Sequence, residues 1–138
     1  MIRFNKNRSK YNTREICVDG IIFDSKDEIT RYYELTFMLK ANKIRDLKYH
    51  EQFELIPAQY ETVERYGKNG KRLKDGLKLV EHAAVYTADF TYIDCATGEK
   101  IVEDVKCKKT KTEAYVLRRK MMYQKYKIRI KEIEYGRN

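Results

Sequence analysis

The sequence predicts an α/β (α+β) sandwich: a central mixed β-sheet flanked by two helices, with a β-hairpin at its N-terminal end. Three observations predict it. Apolar spacing follows a helical period in only two stretches, near 25–42 and 112–126, while most other segments alternate or run β-branched. The order that results is hairpin, helix, three strands, helix, strand, which lacks the strict strand–helix alternation of a doubly wound sheet. A length of 138 residues suits one domain better than two.

Taken in order, residues 1–14 hold five basic groups (Arg3, Lys6, Arg8, Lys10, Arg14) and no acid, and are expected to be a loose basic arm. A single domain over 15–135 follows. EICVDGIIF places two short β-type runs around Asp19-Gly20, a strong hairpin signal. Ser25 and Glu28 make the capping box of the first helix, whose apolar stripe (Ile29, Tyr32, Leu35, Leu39) runs to about Asn42. Residues 46–57 alternate as a strand that Pro57, the only proline, closes. Residues 60–82 break every pattern at Gly67, Asn69-Gly70 and Gly76, and crowd Lys68, Lys71, Arg72, Lys74 and Lys78 together. They read as a mobile basic loop or the tip of a long hairpin insertion. Strands are expected over 83–93 and 100–107 around a turn at Ala96-Thr97-Gly98, a helix over 112–126, and a last strand over 128–135.

Composition narrows the function. Thirty Lys and Arg against twenty-one Asp and Glu leave a formal charge of +9, a field that favours polyanions. No apolar run is long enough to span a bilayer, and MIRFNKNRSK has no apolar core of a signal peptide. Cys17, Cys95 and Cys107 cannot all pair within one chain and form no C-x-x-C. The expectation is therefore a cytoplasmic protein whose cysteines are small apolar fillers. His50 and His82 have no partner at zinc spacing.

Chemistry concentrates in the two strands around Gly98. Facing residues of an antiparallel hairpin share a constant position sum. A turn centred between Ala96 and Thr97 sets Asp89 opposite Asp104; one centred a residue later sets it opposite Lys106. Asp104 and Lys106 share a face because they are two apart, and Glu103 and Val105 take the other. Two carboxylates and an ammonium thus meet on an otherwise apolar sheet, an arrangement that costs free energy unless the charges pair or bind a metal. Hard oxygens with open water positions suit Mg²⁺ (or Mn²⁺) beside a phosphate.

The residues T-A-D-F (87–90) and E-D-V-K (103–106) resemble the paired motif of the PD-(D/E)XK nuclease superfamily, and F-D-S-K-D-E-I-T-R-Y-Y-E-L (23–35) resembles its first helix. The layout over roughly 10–135 is similar to a small phage-encoded family of formally unknown function with Holliday-junction-resolvase-like character. The resemblance implies a restriction-endonuclease-like core, metal ligation by Glu28, Asp89 and Asp104, and Lys106 as catalytic lysine. It implies a metal-dependent endonuclease acting on duplex or branched DNA in phage replication or recombination, in the host cytoplasm. Ala88 stands where the motif is named for proline, and Cys107 where glycine is frequent.

Alternatives stay open beside it. Glu28 is either a ligand or only the capping acid, and Asp89 and Asp104 either hold metal or pair with Lys106 and Lys108. A slip of one residue would make Glu103 the inward acid, and Glu34 is a further acid on the same helix. Between Lys106 and Lys131 there are eleven basic residues and one acid, Glu113. The DNA surface is therefore assigned to Lys108, Lys109, Lys111, Arg118, Arg119 and Lys120 with the loop cations Lys68, Lys71, Arg72 and Lys74. Tyr115, Tyr123 and Tyr126 are the candidates for base stacking. A two-fold homodimer is the economical assembly for paired cuts. The rival reading is a non-catalytic basic DNA-binding protein on the same fold; an RNA-binding module ranks below both, for lack of an RNP-type strand or G-x-x-G loop.

Overall fold

A computed structural model describes residues 2–4 and 15–136. Of the arm expected over 1–14, only Ile2–Phe4 is described, as strand β1, and the rest lies outside the described residues. β1 pairs antiparallel with β2 (Ile16–Val18), which pairs with β3 (Ile21–Phe23) through the expected turn. Asp19 and Gly20 both take positive φ there, 51° and 81°, as a two-residue hairpin turn requires.

Helix α1 spans Lys26–Lys40, with the Ser25 hydroxyl accepting the Glu28 N–H at 3.2 Å as its N-cap. β4 (Ile44–Tyr49) and β5 (Gln52–Ile56) follow, then the paired strands β6 (Gln59–Tyr66) and β7 (Arg72–Glu81). β8 (Ala84–Thr87), β9 (Phe90–Asp94) and β10 (Lys100–Val105) lead through a single 3₁₀ turn (Lys108–Thr110) to α2 (Glu113–Tyr126) and β11 (Lys131–Ile133). The central sheet has the order β11-β10-β9-β4 and is mixed: β11 runs parallel to β10, and the other neighbours are antiparallel.

The sheet divides the core in two. On the α1 side Val18, Phe23, Tyr32, Leu35, Ile44, Phe90 and Tyr92 pack together; on the α2 side Phe53, Tyr86, Ala88, Val102, Tyr115 and Met122 do. Alternation along β10 explains the split, since Val102 and Asp104 face α2 while Ile101, Glu103 and Val105 face α1.

Four expectations are corrected. The strand over 46–57 is two strands, broken at His50, whose φ of +56° turns the chain. The strand over 83–93 breaks opposite, at Ala88 and Asp89. The pairing nevertheless continues across the gap, through Ala88 N–H to Glu51 O (2.9 Å) and His50 N–H to Asp89 O (3.3 Å). The last strand shrinks from 128–135 to three residues. Residues 60–82 form a hairpin nearly all of whose side chains are exposed. A Cβ at Gly76 would meet the Arg65 Cδ at 2.6 Å, and the exposed Arg65 side chain would have to swing aside. Cys17 is half-buried, but Cys95 and Cys107 are exposed, so they are not core fillers.

Candidate functional site

The pairing of β9 with β10 joins Lys100 to Ile93 and Glu103 to Phe90, so the register is the one that sets Asp89 opposite Asp104. Asp89 lies just outside β9, where the ladder stops. Its backbone N–H donates to Glu103 O at 3.1 Å, and its carboxylate accepts the Val105 N–H at 2.7 Å. The side chain thereby takes the place of a ladder carbonyl. Asp104 is nearly fully buried: one oxygen accepts the Tyr86 hydroxyl at 2.7 Å and the other pairs with Lys106 Nζ at 3.2 Å. Lys106 Nζ also sits 4.6 Å from the centre of the Tyr115 ring. An ammonium held between a carboxylate and an aromatic face is oriented without being neutralised on every side.

Glu28 reaches the same place from the first turn of α1. The capping box closes one residue early: its carboxylate accepts the Asp24 N–H at 3.1 Å rather than that of Ser25. Capping and proximity to the site therefore coexist in one side chain, which is 7% exposed. Burial first, and then the charges of Asp24 and Asp104, push its pKa up to about 7, although the Asp24 N–H and Lys106 act the other way. Asp89 is pushed up to about 8, again by burial first and then by Glu28 and Asp104, against the Val105 N–H. Its carboxyl group comes within hydrogen-bonding range of Asp104.

Three crowded carboxylates share one ammonium, and the donor chemistry is that of a hard divalent cation. No group of three or more His, Cys, Asp or Glu side chains among the described residues forms a ready-made metal cage. Mg²⁺ does not need one, since it is held by one or two carboxylates and keeps its waters.

Glu103 is settled as a structural acid. It is fully buried on the α1 face, where Arg31 grips it through Nε at 2.8 Å and Nη2 at 2.5 Å, and the Tyr92 hydroxyl donates to it at 2.5 Å. Glu34 is turned to Arg31 and Tyr135, away from the site. Two participants carried no sequence signal. Tyr86 is an unremarkable strand tyrosine until its hydroxyl is seen on Asp104. Glu132, paired in register beside Asp104, gathers Lys111 (2.9 Å), Arg119 (2.7 Å) and the Tyr115 hydroxyl (2.9 Å). Burial works to raise the Glu132 pKa, but those three donors outweigh it and hold it at about 2.

The cations assigned to DNA thus divide. Lys111 and Arg119 are engaged by Glu132, and Arg72 lies near Glu64 and Asp75. Lys68, Lys71 and Lys74 on the hairpin, Lys108 and Lys109 on the 3₁₀ turn, and Arg118 and Lys120 on α2 are exposed. Among the stacking candidates, Tyr115 is buried and has Lys106 on its ring, which corrects that assignment. Tyr126 donates to Glu54 O at 2.6 Å and packs edge-on against Phe53, whereas the Tyr123 ring is 45% exposed.

The raised pKa values make stability fall with pH. Unfolded, Glu28 and Asp89 ionise near 4.5 and 3.8; folded, they hold protons to about 7 and about 8. Between those limits the folded chain binds more protons than the unfolded one, so unfolding free energy declines as pH rises. Metal-free protein is expected to lose melting temperature steadily between pH 5 and 9, and Asp89→Asn to flatten that decline. A wild-type melting temperature that climbs over this window would contradict the assignment of protons to these two groups.

No helix among the described residues is long and apolar enough to cross a membrane. Comparison with curated proteins gives no match, and neither does comparison with solved structures. The model of one family, described as "Protein of unknown function (DUF1064)", matches residues 8–134. That match spans nearly the whole chain, which therefore belongs to the DUF1064 family.

Proposed function

We propose that the chain is a Mg²⁺- or Mn²⁺-dependent endonuclease that hydrolyses phosphodiester bonds in duplex or branched DNA, of the PD-(D/E)XK kind. The observation that carries this reading is the cluster of Glu28, Asp89 and Asp104 around a single ammonium, Lys106, at a break in the sheet. Structural ion pairs balance their charges, as Arg31 and Glu103 do; here two of the three carboxyl groups keep protons into the neutral range, which a divalent cation would displace.

A bound divalent cation would acidify a water and screen the phosphate in the transition state. Asp89 and Asp104 would hold it, with Glu28 behind them. Tyr86 and the Val105 N–H each hold one oxygen of an aspartate, so the two carboxylates are oriented before substrate arrives. Lys106, kept in place by Asp104 and the Tyr115 ring, would orient the attacking water or meet charge developing on the phosphate. The exposed cations on the hairpin, the 3₁₀ turn and α2 would follow the DNA backbone, which attracts them whatever the base sequence. A two-fold dimer remains the economical way to make paired cuts.

The test is cleavage of labelled duplex, single-stranded, flap and four-way-junction DNA with Mg²⁺, Mn²⁺ or chelator. Cleavage that needs the metal and favours duplex or branched forms is expected. Tight binding with no cleavage under any metal would replace this reading with the non-catalytic DNA-binding one.

A further inference from the structure

The exposed ring of Tyr123 is the centre of a surface outside the carboxylate cluster. A hollow of about 370 Å³ on one side of it is lined by Arg119, Lys120, Tyr123, Arg129 and Ile130. A second, of about 560 Å³, shares Tyr123 and Arg129 and adds Lys100, Lys127 and Lys131, with Glu99 its only acid. The Arg129 guanidinium lies 5.1 Å and the Lys127 ammonium 5.5 Å from the centre of the ring. Elsewhere on this molecule buried or half-buried cations find carboxylates, as Arg31, Lys106 and Lys111 do. Around Tyr123, Arg119 and Lys100 are likewise paired, with Glu132 and Glu51, while the exposed Lys127 and Arg129 gather on the aromatic face.

Lys127 adds an independent observation. It is the C-cap of α2, and its φ of +58° is the left-handed conformation that glycine adopts without cost at that place. A lysine there carries steric strain, and what it contributes is an ammonium near Tyr123. Strain kept at a position of this kind points toward use.

A ring with cations over it and two hollows adjoining it suits a ligand that is itself planar and carries a phosphate. Bases inside a duplex keep their faces covered by their neighbours, so only an unpaired base can lie on such a ring. We propose that the Tyr123 cleft is a subsite for an unpaired nucleotide of the DNA substrate. The proposal rests on the nuclease reading and narrows its substrate to DNA that carries a single-stranded segment. Tyr123 lies eight residues beyond Tyr115 on α2, about 12 Å at the usual rise, and Lys100 lies six residues before Lys106, about 20 Å along the strand. At about 3.4 Å per duplex step, the unpaired base sits roughly four to six nucleotides from the phosphate cut.

The experiment measures binding, in Ca²⁺ to suppress cleavage, of two DNAs of equal length. One is fully paired; the other has a single-stranded extension carrying 2-aminopurine as its first unpaired base. Wild-type protein is expected to prefer the extension-bearing DNA about tenfold or more and to quench the 2-aminopurine by stacking, in line with what one aromatic stack contributes. Tyr123→Ala should bring the ratio of the two affinities close to one and remove the quench, while Tyr123→Phe keeps both. Lys127→Gly is the variant safe from misfolding: it should raise the melting temperature by a few degrees and lower the preference severalfold. Equal affinity for both DNAs, or a Tyr123→Ala variant that keeps the quench, would overturn the subsite and leave the nuclease reading standing. Binding of neither DNA would end both.

Discussion

Lys106→Ala is expected to slow metal-dependent cleavage by about 10²–10³-fold, the loss typical for one group aimed at developing transition-state charge. The side chain is the one cation beside three buried carboxylates, paired to Asp104 at 3.2 Å and seated on the Tyr115 ring. DNA affinity should hardly move, because one phosphate contact among many contributes little to binding. Single-turnover rates and a salt-dependent binding isotherm, measured on the same preparation, separate the two effects. Parallel losses in rate and affinity would mean that Lys106 serves attachment alone. A near-normal rate would remove it from the chemistry altogether.

Arg31→Ala should be the most damaging single change to stability, at about 3–5 kcal/mol, since it leaves a buried carboxylate without its partner. Glu103 has no exposed surface, and Arg31 supplies two of the hydrogen bonds that hold it. Against a total that is commonly about 5–15 kcal/mol for a domain, the variant would stand near the edge of folding. Combining Arg31→Met with Glu103→Gln should recover more than half of the loss. The charge is then gone from both sides, and the amide oxygen still accepts from the Tyr92 hydroxyl. Urea unfolding of the single and double variants gives the numbers. A cost below about 1 kcal/mol for Arg31→Ala would place this pair with ordinary surface ion pairs.

Much of the architecture was legible because its signals are local. Asp19-Gly20, the Ser25 cap and the Thr112-led helix each announce themselves within a few residues, and all three stand where expected. The meeting of Asp89 with Asp104 was also within reach, because a hairpin register needs only the centre of its turn. The break at His50 was not. A histidine with positive φ in an alternating segment has no marker in the sequence, and it kinks a pairing that otherwise runs on past it. Asp104 was set on the site face and Glu103 on the other, but a slip of one residue would have exchanged them, and nothing local fixed the choice. What distinguishes them is Arg31, 72 residues away on α1, and Tyr86 on a strand whose pairing lies with β5. Tyr115 illustrates the opposite error. Aromatic residues beside basic ones read as a stacking surface, yet its hydroxyl and its ring face were both claimed from within by Glu132 and Lys106.

The adjacency of Glu103 and Asp104 has an evolutionary consequence. Successive residues of a strand face opposite layers, so one acid is committed to Arg31 and the other to the cluster with Lys106. Gaining or losing one residue in the 95–99 turn would swap them. It would drive Asp104 toward α1 on a shorter arm and carry Glu103 into the cluster. Such an indel could not be tolerated as a mere loop variant, because it would injure folding and chemistry together. Lineages of this chain should therefore vary freely in the length of the 67–71 hairpin tip and hold the length of the 95–99 turn constant. The ion pair on the far side of the sheet acts as the ruler by which the cluster keeps its place.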